Sequence, residues 1–200
     1  DVVHCHNVRP TILGAAAARL ARVPAIISTL HGTTTQTAGR ERRFWLAARG
    51  CDRVVAVSDS TRRSFATQPW ASRSRLVTVR NGAAPGSTVP QEDAGMEKDG
   101  FVLMSVGILA WRKDYCSLLR AFALASRSVG DLRLWIVGEG DDRPKLESLI
   151  DELGIRSSVK LLGMRRNVGF WLAKADLFVL SSVAEGLPLA LLEAMAAGVP

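Results

Sequence analysis

Residues 181–200 read SSVAEGLPLALLEAMAAGVP, and they follow directly on the apolar run DLFVLS at Asp176–Ser181. A short, uninterrupted apolar run of this kind suits a buried parallel strand. Beyond it, Gly186 permits a tight bend, Pro188 suits the first turn of a helix and Gly198 suits its end. Glu185 is therefore expected in a loop at the carboxyl end of a strand, and Glu193 on the helix that follows. Open α/β sheets bind ligands at that edge, and the adjacent helix N-terminus favours phosphate. An ionised carboxylate only accepts hydrogen bonds. Two of them, eight positions apart, suit hydroxyl-rich groups on either side of a diphosphate: a sugar and a ribose. An acid near a helix N-terminus plus a solvated glutamate accounts for the same two residues.

Working upstream, strand-like and helix-like runs alternate. Strands are expected at Val2–Cys5, Pro24–Leu30, Arg53–Val57 and Leu76–Val79, with helices at Thr11–Ala21 and Arg42–Arg49 and from a Ser58 N-cap through Phe65. Gly82–Gly100 (GAAPGSTVPQEDAGMEKDG) has four glycines, two prolines and no hydrophobic period, which marks a linker. The alternation then resumes. Strands are expected at Phe101–Val106, Leu132–Val137, Ser158–Leu162 and Asp176–Ser181, and helices at Tyr115–Arg127, Arg143–Leu153 and Val168–Ala173. The fold class is α/β, with two parallel, Rossmann-like sheets. The domains are 1–82 and 101–200, joined by a linker over 83–100. A cleft between two such halves is a common place for a small molecule.

Composition narrows the class. Hydrophobic residues make up 48% and charged residues 22% of the 200, which is ordinary for a globular protein with a substantial core. No apolar run approaches the roughly 20 residues that span a bilayer. Cys5, Cys51 and Cys116 are scattered, so they read as reduced thiols rather than a disulfide framework or a metal site. The net charge of +7 is uneven: residues 1–82 hold thirteen arginines and no lysine against four acids. A basic half can steer anions or rest on an anionic membrane or nucleic acid, and arginine on a solvated surface accounts for the same count. The chain carries no nucleic-acid reading motif or interleaved aromatic platform, so no nucleic-acid partner is expected.

Several strand ends carry candidate chemistry. His31, in STLHGTTTQ, follows a strand and precedes Gly32; a neutral imidazole there both donates and accepts hydrogen bonds. His4 and His6 fall on one face of a strand, but two histidines do not make a metal site, and they read as structural or cleft-lining residues. Gly107 ends the strand FVLMSV, and Arg112 and Lys113 follow, cations suited to a diphosphate leaving group. Gly138 and Gly140 permit close backbone approach. Asn81-Gly82 reads as turn chemistry, because both residues tolerate positive φ. Trp111, Trp135 and Trp171 read as core or rim packing residues. Phe44 and Trp45, beside Arg42 and Arg43, read as an inward-facing pair, although basic and aromatic residues also suit a membrane headgroup zone.

The segment EGLPLALLEAMAAGVP resembles the donor-binding motif of retaining glycosyltransferases of family 4, which have the two-domain GT-B fold. The resemblance extends from His4 to Pro200, taking in STLHG, Arg80-Asn81-Gly82, Lys113, LWIVGEGDDRPKLESLI and VKLLG. It implies transfer of a sugar from a nucleotide-diphosphate sugar to an acceptor hydroxyl, with retained configuration, in polysaccharide or glycolipid synthesis. By that resemblance Glu185 and His31 meet the donor sugar, and Glu193 the ribose. Lys113 meets the diphosphate, with Arg112 as a candidate substitute for the family's arginine; Gly107, Gly138, Gly186 and Leu187 line the donor site, and Met164 and Arg165 lie near the base. The family's usual arginine is Ile108 here, and its usual glycine is Asp114. No metal or other cofactor is implied. The expected partners are a nucleotide sugar and a sugar or lipid-linked acceptor, and the expected location is the cytoplasm, with contact to the inner membrane face. Both domains are expected to be incomplete, and residues 1–200 alone inactive. A nucleotide-sugar epimerase or hydrolase would use the same fold but needs a further acid or base.

Overall fold

A computed structural model of the chain describes residues 1–32, 38–66, 75–83 and 97–200. Most of the expected linker, residues 84–96, lies outside the described residues. The chain divides into two compact units, Asp1–Asn81 with Ala184–Leu187, and Gly82–Val183 with Pro188–Pro200. The Ala184–Leu187 segment thus groups with the first unit, whereas the sequence reading placed all of 101–200 in one domain.

In the first unit, β1 (Val2–His6), β2 (Ala25–Leu30), β3 (Arg53–Ala56) and β4 (Leu76–Thr78) pair in that order, all parallel. Parallel neighbours need long crossovers, and α1 (Val8–Leu20), α2 (Ala38–Arg49) and α3 (Asp59–Ala66) lie in them. One core forms between these helices and one sheet face: Val8, Ala15, Ala18, Phe44, Ala48 and Phe65 pack on Ile26, Leu30, Val54, Ala56 and Leu76. The opposite face carries Val2, His4, His6, Ile27, Val55 and Val77, which are half-buried or exposed. Alanines keep α1 thin, and a Cβ on Gly14 would come within 2.6 Å of Cys5 Sγ, so the helix packs tightly on β1. Helix α1 starts at Val8, ahead of the expected Thr11. Pro10 is accommodated because its position in the first turn has no intrahelical N–H partner to lose. Ser58 Oγ accepts from Thr61 N at 3.1 Å, the cap expected of it. Phe44 is buried, as expected; the side chain of Trp45 lies outside the description.

In the second unit the order is β7 (Val159–Gly163), β6 (Leu132–Val137), β5 (Phe101–Val106), β8 (Leu177–Phe178), again parallel. Leu132, Leu134 and Ile136 pack under α4 (Tyr115–Ala125) and α5 (Arg143–Glu152). Val102, Met104, Trp135, Val137 and Phe178 pack with Trp171 and Leu172 of α6 (Val168–Leu172) and Ala194 of α7 (Leu189–Ala196). Helices therefore cover both faces, and β6 is an unbroken apolar run apart from Arg133. Trp135 and Trp171 meet edge to face, 5.8 Å between centroids, whereas Trp111 is 66% exposed and lies outside the cores. Strand β8 is shorter than the expected Asp176–Ser181. Val179 N still donates to Met104 O at 2.8 Å, but the chain then turns, and Ser181 Oγ donates to Lys113 O at 2.7 Å.

Candidate functional site

The chain runs from β5 through β6 to β7 in one direction and then places β8 on the other side of β5. That reversal is a topological switch point, and open α/β sheets form ligand crevices at the carboxyl ends of the strands flanking one. The residues there are Gly107, after β5, and the segment from Ser181, after β8. A single 3-10 turn, Trp111–Lys113, lies between β5 and α4. It is tied to the far side of the switch point: Val183 N donates to Arg112 O at 2.9 Å, alongside the Ser181–Lys113 bond.

Lys113 lies across the end of β5. A Cβ on Gly107 would stand 2.9 Å from Lys113 Cε, 3.0 Å from the Tyr115 hydroxyl and 3.3 Å from Lys113 Nζ. Glycine at 107 thus leaves room for the lysine side chain at the strand end. Arg112, beside it, is exposed. Asp114, where the resemblance has glycine, adopts the left-handed conformation, φ 47° and ψ 45°. Few L-residues other than Asn and Asp visit that region routinely, which explains both the usual glycine and its replacement here. The Asp114 carboxylate also accepts from Ser117 N at 3.3 Å, capping α4.

The two glycines after β6 serve the same edge. Gly138 has φ +143°, and a Cβ there would lie 1.9 Å from Gly107 O; a Cβ on Gly140 would lie 2.4 Å from Leu109 O. Both positions let backbone meet backbone, and the loops are bonded through Gly107 N to Val137 O and Leu109 N to Glu139 O, each 2.9 Å. Gly138 N reaches Gly163 O at 2.9 Å, joining the end of β7. Met164, next in the chain, is 75% exposed. Arg165 lies over the Trp171 ring, 5.4 Å from its centroid. Glu193 is half-buried on the second turn of α7. Pro188 sits one residue before that helix rather than within it, and the helix ends in a full Schellman motif, with Gly198 at φ +73°.

Within the first unit, His31 follows β2 directly and is exposed. Its Nε2 pairs with His6 Nδ1 at 2.8 Å, and its backbone N–H donates to Asn7 Oδ1 at 3.2 Å. His4 Nε2 bonds Thr29 Oγ1 at 2.7 Å, and the His4 and His6 rings lie 4.2 Å apart, both on the face opposite the helices. Burial, then the neighbouring His6 and His4, hold the His31 pKa below its ordinary value; burial and His6 do the same for His4. His31 is thus neutral near pH 7. The Ala184–Leu187 segment packs beside it. A Cβ on Gly186 would stand 2.2 Å from His31 O and 2.9 Å from Val57 Cγ2, so glycine is needed there for space; it is not among the positive-φ glycines. Glu185, preceding it, is half-buried, and Leu187 O accepts from Asn81 Nδ2 at 2.8 Å. Asn81 and Gly82 have no positive φ, so the expected turn chemistry is replaced by this side-chain bond.

Within the second unit the structure joins Gly107, Arg112, Lys113 and Gly138 at the carboxyl edge of its sheet, and within the first unit it joins His31 with Gly186. The sequence reading missed Asn7 and the His6–His31 pair. The HCHN string after β1 carried the signal, but parallel register with β2, pairing His6 with Thr29, was needed to read it. Among the described residues, no group of three or more His, Cys, Asp or Glu side chains is set to hold a metal.

Two family models match the chain: "Glycosyltransferase Family 4" over residues 1–85 and "Glycosyl transferases group 1" over residues 100–200. It is 28% identical, over its whole length, to 56% of the Escherichia coli UDP-Gal:alpha-D-GlcNAc-diphosphoundecaprenol alpha-1,3-galactosyltransferase. It is 33% identical, over 66% of its length, to 37% of the lipopolysaccharide core biosynthesis glycosyltransferase LpsD of Rhizobium meliloti. The chain thus spans about half the length of the curated relatives it matches. Anabaena HepE, solved in complex with UDP and glucose, superposes with a TM-score of 0.84 at 22% identity, covering all of this chain and 58% of that one. With both models matched and the same fold, the chain belongs to the GT-B glycosyltransferases of group 1 and family 4.

Proposed function

We infer that the protein containing this chain transfers a sugar from a nucleotide-diphosphate sugar to an acceptor hydroxyl, with retention of configuration, in glycolipid or polysaccharide synthesis. The observation that carries this reading is the placement of Lys113. Its ammonium lies over Gly107 at the switch point, in a turn bonded to the segment that leads into Glu185. As the bond from the sugar's anomeric carbon to the β-phosphate oxygen breaks, its electrons pass to the diphosphate. Lys113 and Arg112 would stabilise that charge without a metal. Glu185 and His31 would hold the sugar, Glu193 the ribose, and Met164 would touch the base. Gly138, with Gly107, would let the backbone approach the nucleotide, and Gly186 and Leu187 would fix the loop that carries Glu185.

The relatives named for diphosphoundecaprenol and lipopolysaccharide core substrates make a sugar or lipid-linked acceptor at the cytoplasmic membrane face the matching proposal here. No helix among the described residues is long and apolar enough to cross a membrane. The test is calorimetry with UDP and UDP-galactose. Lys113→Ala is expected to weaken both ligands by about tenfold to a hundredfold, the loss of a charged hydrogen bond. Unchanged affinity for both, in a folded variant that binds them, would remove Lys113 from the site.

A further inference from the structure

The first unit builds a hydrogen-bonded histidine pair on the sheet face opposite its described helices, where the sequence reading had His6 as a structural or cleft-lining residue. The Nδ1 atom of His6 and the Nε2 atom of His31 stand 2.8 Å apart with the rings inclined by only 22°. Two neutral imidazoles in that geometry share one proton between the facing nitrogens, so one ring donates and the other accepts. His31 is held from a second side by the bond from its backbone N–H to Asn7 Oδ1. Asn7 itself has φ 65°, a conformation that costs a non-glycine residue of order 1–3 kcal/mol. It is held there by three bonds: Asn7 N to Thr29 O, Thr11 Oγ1 to Asn7 O and Thr11 N to Asn7 O. The end of β1 is thus fixed around His31 rather than free to relax.

We propose that His6 is the positioning residue of His31: through the Nδ1–Nε2 bond it sets which nitrogen of His31 carries the proton, and so what His31 Nδ1 offers to a bound sugar hydroxyl. If His6 donates, His31 is protonated at Nδ1 and presents a donor; if His31 donates, its Nδ1 is an acceptor. Either way the roles of the two rings are locked together. Among the described residues, the titratable groups near His31 are His6 and His4 on β1, with Glu185 one residue before Gly186, which abuts it. Burial first, and then His6 and His4, lower the His31 pKa, which favours the neutral ring and its two-way hydrogen bonding. The proposal rests on the reading of His31 as a sugar-contacting residue, and its experiment separates the two.

The test is nitrogen-15 NMR of the histidine rings in the intact chain, with calorimetry using UDP-glucose and UDP. His6→Phe keeps an aromatic ring and removes the nitrogen; His6→Asn restores a polar atom near the Nδ1 position. His6→Phe is expected to change the ratio of the two His31 tautomers and raise the His31 pKa toward its ordinary value. It should weaken UDP-glucose about three- to tenfold, the range of one hydrogen bond, while leaving UDP unchanged. His6→Asn should recover the tautomer ratio and most of the affinity, which a purely structural role would not explain. An unchanged His31 ring spectrum in a folded His6→Phe variant overturns the proposal. A changed spectrum with unchanged UDP-glucose affinity also overturns it when Glu185→Gln still weakens that ligand. If Glu185→Gln has no effect either, the donor-site reading itself fails.

Discussion

The two sheets are both parallel and four-stranded, yet they are dressed differently. In the first, the three described helices pack on one face, where β2 places buried Ile26, Ser28 and Leu30, while on its other face Ala25 and Ile27 are half-buried and Thr29 is buried. In the second, helices lie on both faces, and adjacent residues of β6 such as Leu134 and Trp135 are equally buried. The difference teaches that a parallel strand is not bound to read as a continuous apolar run. It does so where both faces are covered. On the first sheet, the face opposite the described helices carries His4 and His6.

That comparison is sharpest at adjacent residues. In β6, Leu134→Ala and Trp135→Ala are each expected to cost about 3–5 kcal/mol, because each opens a cavity in a different core. In β2, Ile26→Ala should cost a similar amount, about 2–5 kcal/mol, and Ile27→Ala clearly less. Urea unfolding of the four variants measures this; equal losses at Ile26 and Ile27 would break the one-sided description of the first sheet.

The two glutamates probe the same division at the level of ligand binding, since Glu185 groups with the first unit and Glu193 with the second. Glu185→Gln should weaken a nucleotide sugar but leave UDP nearly unaffected. Glu193→Gln should weaken both, each loss being on the order of 1.5–3 kcal/mol. Calorimetry of the folded variants with UDP and UDP-galactose reads the pattern, and parent-like binding by both removes the carboxylates from the donor site.

One device is common to the two units. Asp52, just before β3, accepts from Ile26 N at 2.8 Å and pairs with Arg19; Asp176, just before β8, accepts from Val102 N at 2.8 Å and pairs with Lys98. The Ile26 N–H and Arg19 hold the Asp52 pKa below the ordinary 3.8, and Lys98 and the Val102 N–H do the same for Asp176. A carboxylate with a depressed folded pKa stabilises the fold above its unfolded pKa, and that contribution is lost as pH falls through the folded value. Stability should therefore fall from about pH 4 downward, and Asp52→Asn and Asp176→Asn should each flatten that acid limb in thermal melts. An unchanged limb in either variant would show that the device acts in one unit only.

Asp114 supplies the smallest effect. Asp114→Gly relieves a left-handed residue, worth roughly 1–2 kcal/mol, but loses a cap of about 1 kcal/mol and gains unfolded-chain freedom worth about 0.4–1 kcal/mol. The terms nearly cancel, so the melting temperature is expected to shift by no more than a few degrees. A large shift would mean that the cation turn depends on contacts beyond the Ser117 cap.

Much of the second unit was legible in the sequence because its cores repeat a simple pattern. The expected ranges for β5 and β6 match the structure, and α5 and α6 each differ by one residue at the end. Reading failed where a residue's partner lies far along the chain. Strand β8 stops early because Ser181 turns to Lys113, 68 residues away. Asn81 bonds Leu187 across 106 residues, and His6 meets His31 across 25. Gly138 and Gly186 were recognised as special, but what each makes room for, the carbonyls of Gly107 and His31, follows only from the packing. The candidate site was legible as residue types at strand ends; the bonds that orient them were not.

The near-cancellation at Asp114 has a consequence for recognition. A glycine in that turn would leave Lys113 attached to a loose pivot, and an arriving anion would have to still it. The aspartate instead fixes the turn when the chain folds, so less motion is lost when the ligand arrives. The corresponding signature is thermodynamic: Asp114→Gly should bind UDP with a less favourable entropy than the parent even where melting temperatures agree.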